Sequence, residues 1–447
     1  MRRLVLLFPL LIAAQSNTPL TLNDAVRAAA SYPSVTASKE QIAAADSAIA
    51  LANTAYLPKV DGVAQLNRAT RNNVFGLLLP QSPFPSISGP VLGTNDLTNV
   101  WGSALGVTAS WEPFDFGLRR ATVAIASSGR DRATAAVTRS VFELQAMAAD
   151  AFLTVLAADR AVELARAAVE RATVLERSVG ALTNSGLRPG GDLSRAQAER
   201  AIAETQVAQA EQSAAIARAA LSQLIGQPVT AVASGHLLEL PPSPQVATNV
   251  VEHPLIREHV ALINEIKARE HALDRSYFPK FSLQAATYAR GTGARTDGTT
   301  GNAASGLGPN FQNWAVGMSV SFSVMEFKSL RARKGIELAN ERVAEARRQT
   351  TMRELDGQRN RAEAQIDGAR RIAALTPVQR KSAMETLEQT TARYKAGLIP
   401  IVEVADSQRL VTQTEIDDVL ARLNVWRALL AAAAAAGNLD PFLAAAN

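Results

Sequence analysis

The chain carries one succession of motifs twice. Leu187-Arg188-Pro189, followed by Asp192 and Gln197, returns 211 residues later as Leu398-Ile399-Pro400, followed by Glu403 and Gln408. Nearer the N-terminus, Tyr56-Leu57-Pro58-Lys59 returns as Tyr277-Phe278-Pro279-Lys280, at an offset of 221. A period near 200 residues is too long for a solenoid unit. The sequence therefore predicts two pseudo-equivalent copies of one architecture, with the length difference in a variable loop between Pro58 and Phe114.

The duplication and the N-terminus together predict four segments. Met1-Arg2-Arg3 and the apolar run from Leu4 to Ala14 fit a secretory signal peptide, which we place at residues 1–16. The first structural repeat is predicted at 17–226, a linker at 227–247 and the second repeat at 248–447. No later segment has about 18 uninterrupted apolar residues, so no membrane-spanning helix is predicted.

Composition and motifs exclude several classes of function. The chain has no cysteine, which excludes a disulfide scaffold, a cysteine nucleophile and a lipidated N-terminal cysteine. The pI is about 9.6, but arginine alternates with glutamate along Ala-rich stretches, so no nucleic-acid partner is predicted. The four histidines show no metal-ligand spacing, and no nucleotide or hydrolase motif occurs. We therefore predict neither an enzyme nor a cofactor or metal site.

Two segments alternate apolar and small polar residues with the period of a strand. From Trp101 to Trp111 the odd positions are mainly apolar, and from Trp314 to Val324 the even positions are apolar. Two further strands are predicted at 60–69 and 277–291. An apolar face with aromatic ends is typical of a transmembrane β-barrel strand, although a soluble sandwich strand gives a similar pattern. Trp101, Trp111, Trp314 and Phe322 are the predicted aromatic girdle.

Long helices separate the strand pairs. The periodicity predicts helices at about 118–183 and 328–395, each about 100 Å long at about 1.5 Å per residue, with Ala-rich heptads typical of close coiled-coil packing. Pro377 and the weak pattern around Gly357 predict a kink or interruption in the second. Shorter helices are predicted at about 22–53 and 248–276, and returning helices at 192–225 and 403–436. The fold class is thus mainly α, with four strands per chain.

Four strands cannot close a transmembrane barrel, because about eight are the smallest number observed. A homotrimer would supply twelve. The same trimer would bundle twelve helical rods below the strands.

The repeat, the Tyr-x-Pro-Lys breaks, the Gly-Leu turns and the strand pairs resemble the TolC-type outer-membrane efflux proteins. The most specific stretch is Arg393-Tyr394-Lys395-Ala396-Gly397-Leu398-Ile399-Pro400-Ile401-Val402-Glu403-Val404-Ala405-Asp406. The resemblance implies a passive homotrimeric channel. Its 12-stranded barrel would contact outer-membrane lipid, and a long α-helical coiled-coil tunnel would extend into the periplasm. It also implies a periplasmic adaptor that links this channel to an inner-membrane pump.

The resemblance also implies roles for individual residues. Glu403 and Asp406 match an acidic ring at the periplasmic entrance, and Tyr394 and Asp192 match a latch that closes it. The adaptor-docking turns match Gly186, Leu187, Gly397 and Leu398. The family's latch arginine falls on Ile399 here, and Arg188 is a candidate substitute. Asp192, Glu403 and Asp406 could instead cap helix N-termini, where carboxylates satisfy free N–H groups.

The sequence leaves rival functions open. An efflux channel for drugs or small toxic molecules and a type I polypeptide secretion channel would use the same outer component. A secreted coiled-coil scaffold would explain the Ala-rich heptads but not the Trp-bounded strands. An exported enzyme would need a convergent set of polar residues, and the sequence does not contain one.

Overall fold

The structure is a computed structural model that describes residues 19–70, 98–241, 252–295, 299–322 and 324–446. The predicted signal peptide (1–16), almost all of the variable loop after Thr70 and part of the predicted linker lie outside the described residues.

The described residues form eight α-helices and four β-strands, apart from short 3-10 turns. In chain order they are α1 (Leu22–Ala29), α2 (Pro33–Asn53), β1 (Lys59–Thr70), β2 (Asn99–Phe114), α3 (Leu118–Asn184), α4 (Gly190–Ile225), α5 (Pro254–Arg275), β3 (Lys280–Thr292), β4 (Phe311–Ser321), α6 (Phe327–Lys395), α7 (Ile401–Ala436) and α8 (Asp440–Ala446). The order α2-β1-β2-α3-α4 recurs as α5-β3-β4-α6-α7. The predicted fold class and internal duplication are therefore confirmed.

Two predicted helix boundaries were wrong. The helix predicted over 22–53 is two helices, and Pro33 is the first residue of the second. The helix predicted from 248 begins at Pro254, after His253 accepts the N–H of Leu255 on Nδ1 at 3.1 Å. Proline favours the first helical position because its missing N–H has no partner there and its φ is already helical.

The predicted interruption of the second long helix was also wrong, because α6 runs from Phe327 to Lys395 with Pro377 inside it. Proline in a helix interior removes a hydrogen bond and costs about 3 kcal/mol. Polar contacts with α7 occupy the same turn: Thr376 donates to buried Asp418 at 2.8 Å, and Arg380 lies 3.3 Å from that carboxylate. These contacts hold α6 to its neighbour where the backbone ladder is weakest.

The chain divides into two compact units, and each draws segments from both repeats. One unit contains residues 1–40, 134–259 and 347–447, and the other contains 41–133 and 260–346. The first holds the helical hairpins, and the second holds the sheet.

The sheet unit is a four-stranded antiparallel sheet in the order β1-β2-β3-β4. The ladder pairs Val107 with Gly62 and with Thr287, and Thr287 with Trp314. One face therefore carries mainly apolar side chains, whereas Asp61, Thr108, Gln284 and Ser319 are on the other. This is the predicted alternation, now placed on two faces of one sheet.

The apolar face of the sheet is exposed to a degree unusual for a folded chain in water. Trp314 is 79% exposed, Met318 73%, Val316 64% and Leu105 57%. Exposed apolar patches of this kind mark interaction or membrane surfaces. Alternation with one exposed apolar face is also the pattern of strands in transmembrane barrels.

The hairpin unit has an apolar core built from α1, α3, α4, α6, α7 and α8. Its largest buried side chain is Trp426, which donates from Nε1 to the Glu239 carbonyl at 3.0 Å and packs edge-on against Phe442. Two helices, α3 and α7, contain windows apolar and long enough to cross a membrane by composition alone. Phe152 and Leu153 of α3 and Leu423 of α7 are fully buried in this core, which accounts for much of that apolar character.

Candidate functional site

Two tight turns join the long helices to the returning helices, and both use the same backbone geometry. Gly186 ends α3 with φ of 74° and Gly397 ends α6 with φ of 82°, a region that glycine adopts without strain. The next residue reaches back over the helix end, where Leu187 N–H donates to Leu182 O and Leu398 N–H to Arg393 O. These are Schellman-type helix ends, which satisfy carbonyls that would otherwise lack partners.

The leucine that follows each glycine has no cover within the described residues. Leu187 is 70% exposed and Leu398 is 71% exposed. The proline two residues later starts the returning helix in each copy. The two turns thus present one apolar side chain each at the end of a helical hairpin, at the positions predicted for docking.

The structure brings Tyr394 and Asp192 together. Tyr394 lies in the last turn of α6 and Asp192 in the first turn of α4, and the phenol donates to Asp192 Oδ2 at 2.9 Å. Tyr394 is only 2% exposed and packs among Leu175, Val179 and Val404. A buried polar pair of this kind loses free energy when one partner is removed, because the other is left unpaired.

The surroundings of Tyr394 keep its hydroxyl protonated over a wide pH range. Burial, the hydrogen bond to Asp192 and the negative charge of that carboxylate raise the pKa of Tyr394 to about 12, against the opposing charge of Arg188. The hydroxyl therefore remains a donor at neutral pH.

The residue at the family's latch-arginine position points into an apolar core. Ile399 is buried with Leu175, Val179 and Val404. The equivalent residue of the first turn, Arg188, contacts Tyr394 instead: its guanidinium lies 4.3 Å from the centre of the phenol ring and donates to the Tyr394 carbonyl. The sequence named Arg188 as a candidate, and the structure shows this contact.

Glu403 and Asp406 are both exposed on the first two turns of α7. Asp406 Oδ1 lies 3.3 Å from Arg409 Nη1, whereas Glu403 has no ion pair among the described residues. Pro189 and Pro400 hold the N-cap positions of α4 and α7, and neither helix start has a side-chain capping hydrogen bond within the described residues. Of the capping alternative, only the electrostatic part therefore remains: Asp192 and Glu403 lie in the first turns of their helices, where the helix dipole favours a negative charge.

Sequence reasoning missed a second link between α4 and α7. Buried Glu199 accepts from Arg409 Nη2 at 2.5 and 2.7 Å, and it also pairs with Arg195 at 3.0 Å. The 211-residue shift aligns Arg409 with Ala198 and Glu199 with Leu410, so both partners break the repeat. Such departures from the internal repeat were a signal that could have found this pair.

The predicted girdle residues lie on or next to the sheet. Trp101 and Trp111 share one face of β2, where Trp111 donates to the Tyr56 carbonyl at 3.0 Å and Arg68 lies over the Trp101 ring. Trp314 of β4 pairs with Thr287 of β3, which pairs with Val107 of β2. Trp314 therefore lies across the sheet from the middle of the segment between Trp101 and Trp111, and Phe322 comes directly after β4. Their role as a girdle stays a prediction.

Comparison with known proteins identifies the class. The profile of the outer membrane efflux protein family matches residues 25–227 and 250–438. The chain therefore belongs to this family of outer-membrane channels, which is not an enzyme class.

Solved structures share the fold at low sequence identity. CusC, a protein that forms a transmembrane channel, aligns with a TM-score of 0.75 and 13% identity over 93% of this chain and 92% of its own. The outer-membrane channel OprN gives 0.71 and 20% over 93% and 90%. The open state of the Neisseria gonorrhoeae MtrE channel gives 0.72 and 17% over 93% and 89%. No curated protein matches the chain by sequence.

Proposed function

We propose that this protein is a passive, trimeric duct that carries drugs or other small toxic molecules out across the outer membrane. The observation that carries the proposal is the contact between buried Tyr394 and Asp192, which ties the end of one hairpin to the start of the other. Such a contact gives a channel of this family a closed state that side-chain hydrogen bonds maintain. The chain performs no chemistry, and energy would come from a pump partner.

The two edges of the sheet support the proposed trimer. Strands β1 and β4 are its two edges, and each has a partner on one side only within the described residues. Unpaired backbone groups cannot face lipid without a large cost. Pairing β4 of one subunit with β1 of the next satisfies both edges, and three subunits give twelve strands, well above the eight of the smallest barrels.

The exposed turns suggest the partner. Leu187 and Leu398 offer two similar apolar contacts at the hairpin ends, each fixed by a glycine and a proline. A periplasmic adaptor with a repeated apolar surface would fit both, and it would connect the channel to an inner-membrane pump. Export to the outer membrane would use the predicted signal peptide at residues 1–16.

The charges near the turns suggest how the entrance selects ions. Threefold symmetry converts each exposed carboxylate into a ring of three. Rings of carboxylates favour cations over anions at a constriction. Because Arg409 partly neutralises Asp406, we assign most of the selectivity to Glu403.

We expect Glu403→Gln to lower the cation preference more than Asp406→Asn does. The glutamine removes a charge that has no counter-charge among the described residues, whereas the asparagine removes one that Arg409 already offsets. The measurement is the reversal potential of single channels in a planar bilayer under a KCl gradient.

Glu211→Gln is the matched control, since Glu211 is exposed on α4 well beyond the turn and pairs with Arg166 at 2.6 Å. It should leave the reversal potential unchanged. Equal shifts for Glu403→Gln and Asp406→Asn would refute the assignment to Glu403. Folded, detergent-extracted protein that conducts no ions would refute the channel itself.

A further inference from the structure

We propose that Arg188 is the positioning residue of the closing latch: it holds Tyr394 in the conformation that donates to Asp192. This inference rests on the proposed gating function and goes beyond it, because it assigns the arginine of the latch to the first hairpin turn of the same subunit.

The position of Arg188 within the repeat is the first support. Arg188 is the second residue after Gly186 in the first turn, and Ile399 is the second residue after Gly397 in the second turn. The two turns share backbone geometry, so their side chains leave the backbone at equivalent places. The first copy has the cation Arg188 at this position and the second copy has the apolar residue Ile399, so the two side chains have different roles.

The task of Ile399 is packing. It is buried beside Leu175 and Val179 of α3 and Val404 of α7, in the cluster that also contains Tyr394. An arginine here would bring a charge into this apolar cluster, which is costly without a partner. The described residues around Ile399 are therefore built for an aliphatic side chain.

Arg188 makes two contacts with Tyr394, and these contacts define its role. Its guanidinium stands 4.3 Å from the centre of the Tyr394 ring, which is a cation–π geometry. Its Nη2 also donates to the Tyr394 carbonyl. A planar guanidinium can make both contacts at once, whereas an ammonium group cannot stack in the same way.

The carbonyl contact has an electrostatic reason. Tyr394 lies in the last turn of α6, where the helix dipole is negative. Its carbonyl accepts one backbone hydrogen bond there, from Gly397 N–H at 3.0 Å, which leaves a second lone pair for Arg188. A cation from the first turn is therefore attracted to the end of the second hairpin. The half-buried Arg188 and buried Tyr394 then keep the phenol pointed at Asp192, which lies four residues beyond Arg188.

The contact makes the latch a property of each subunit. Arg188, Asp192 and Tyr394 all belong to one chain, and the first two flank the start of α4. Each hairpin pair can therefore close without a contact from a neighbouring subunit. The three latches of a trimer are then three copies of one local event.

The test is a double-mutant cycle on single-channel conductance in planar bilayers. We expect Arg188→Ala to raise the conductance of the closed channel at least about fivefold, since it removes a cation–π contact and a charged hydrogen bond. In a Tyr394→Phe background the same change should add little, because the hydroxyl that Arg188 positions is already gone. Arg188→Lys should give an intermediate rise.

Arg393→Ala is the control, because it removes a neighbouring exposed cation and leaves the Arg188 contacts intact. Trimers that resist SDS in every variant show that folding is unaffected. If Tyr394→Phe opens the channel, two results would overturn the inference about Arg188. Either Arg188→Ala leaves the conductance unchanged, or it raises the conductance equally in the wild-type and Tyr394→Phe backgrounds. A Tyr394→Phe channel that stays closed overturns the proposed gate itself.

Discussion

Replacing Tyr394 with phenylalanine should raise the single-channel conductance about tenfold or more. The change keeps the packing of the ring but removes the hydroxyl that donates to Asp192 at 2.9 Å. A hydrogen bond to a charged group contributes about 1.5–3 kcal/mol, and each 1.4 kcal/mol is a tenfold change in an equilibrium. The proposed trimer would contain three such latches, so the closed state would lose this stabilisation in each of its three subunits.

The matched control is Tyr288→Phe, which removes a hydroxyl from β3 and not from the hairpin turns. It should leave the closed conductance within the scatter of the wild type. A Tyr394→Phe channel indistinguishable from this control would mean that another contact holds the gate.

The same hydroxyl gives a pH readout. In the closed state the pKa of Tyr394 is raised to about 12, while a solvated phenol has a pKa of about 10. Between about pH 10 and pH 12 the Tyr394 hydroxyl is therefore protonated in the closed state and ionised in the open state. The stabilisation that this hydroxyl gives to the closed state is complete below about pH 10 and is lost as the pH rises toward 12. Wild-type conductance should climb in that window, and this climb should be absent in Tyr394→Phe.

A charge on the apolar face of the sheet should prevent assembly in the membrane. Val107 lies midway between Trp101 and Trp111 on β2, and 45% of its side chain is exposed. An arginine at the centre of a lipid-facing barrel wall costs about 2–4 kcal/mol per chain, and a trimer has three. We expect Val107→Arg to abolish most of the SDS-resistant trimer in the outer-membrane fraction.

The neighbouring residue provides the matched test. Thr108→Arg places the same side chain on the opposite face of the sheet, where the ladder sets it opposite Asp61. This variant should assemble nearly as well as the wild type. Equal loss of trimer in both variants would mean that the apolar face does not meet lipid.

The sequence predicted the fold because its signals are local and periodic. Period-2 alternation over Trp101 to Trp111 places apolar residues on one face of a strand, and the heptads place them along one face of each long helix. Every such residue repeats the same preference. The errors fell where tertiary contacts outweigh local preference. Pro377 was expected to interrupt α6, yet contacts of Thr376 and Arg380 with buried Asp418 of α7 hold that turn in place.

The candidate site was only partly accessible from sequence. The family resemblance named Tyr394 and Asp192, which the structure joins, and it marked Ile399 as a departure. It could not show that Arg188 stacks on Tyr394, because that contact joins residues 206 positions apart through the packing of two hairpins. The pair of Glu199 and Arg409 was missed for the same reason, although both residues break the internal repeat.

The most direct test of the gate uses the absence of cysteine from the chain. Asp192→Cys and Tyr394→Cys in one chain place the only two thiols where the latch partners stand. A bis-methanethiosulfonate reagent can join them across the gap through two reducible disulfide bonds, with sulfinate as the leaving group. Single-channel recording should show an open channel before the bridge forms, a closed one while it is present and an open one after reduction. Conductance that ignores a bridge verified by mass spectrometry would contradict a gate at this contact.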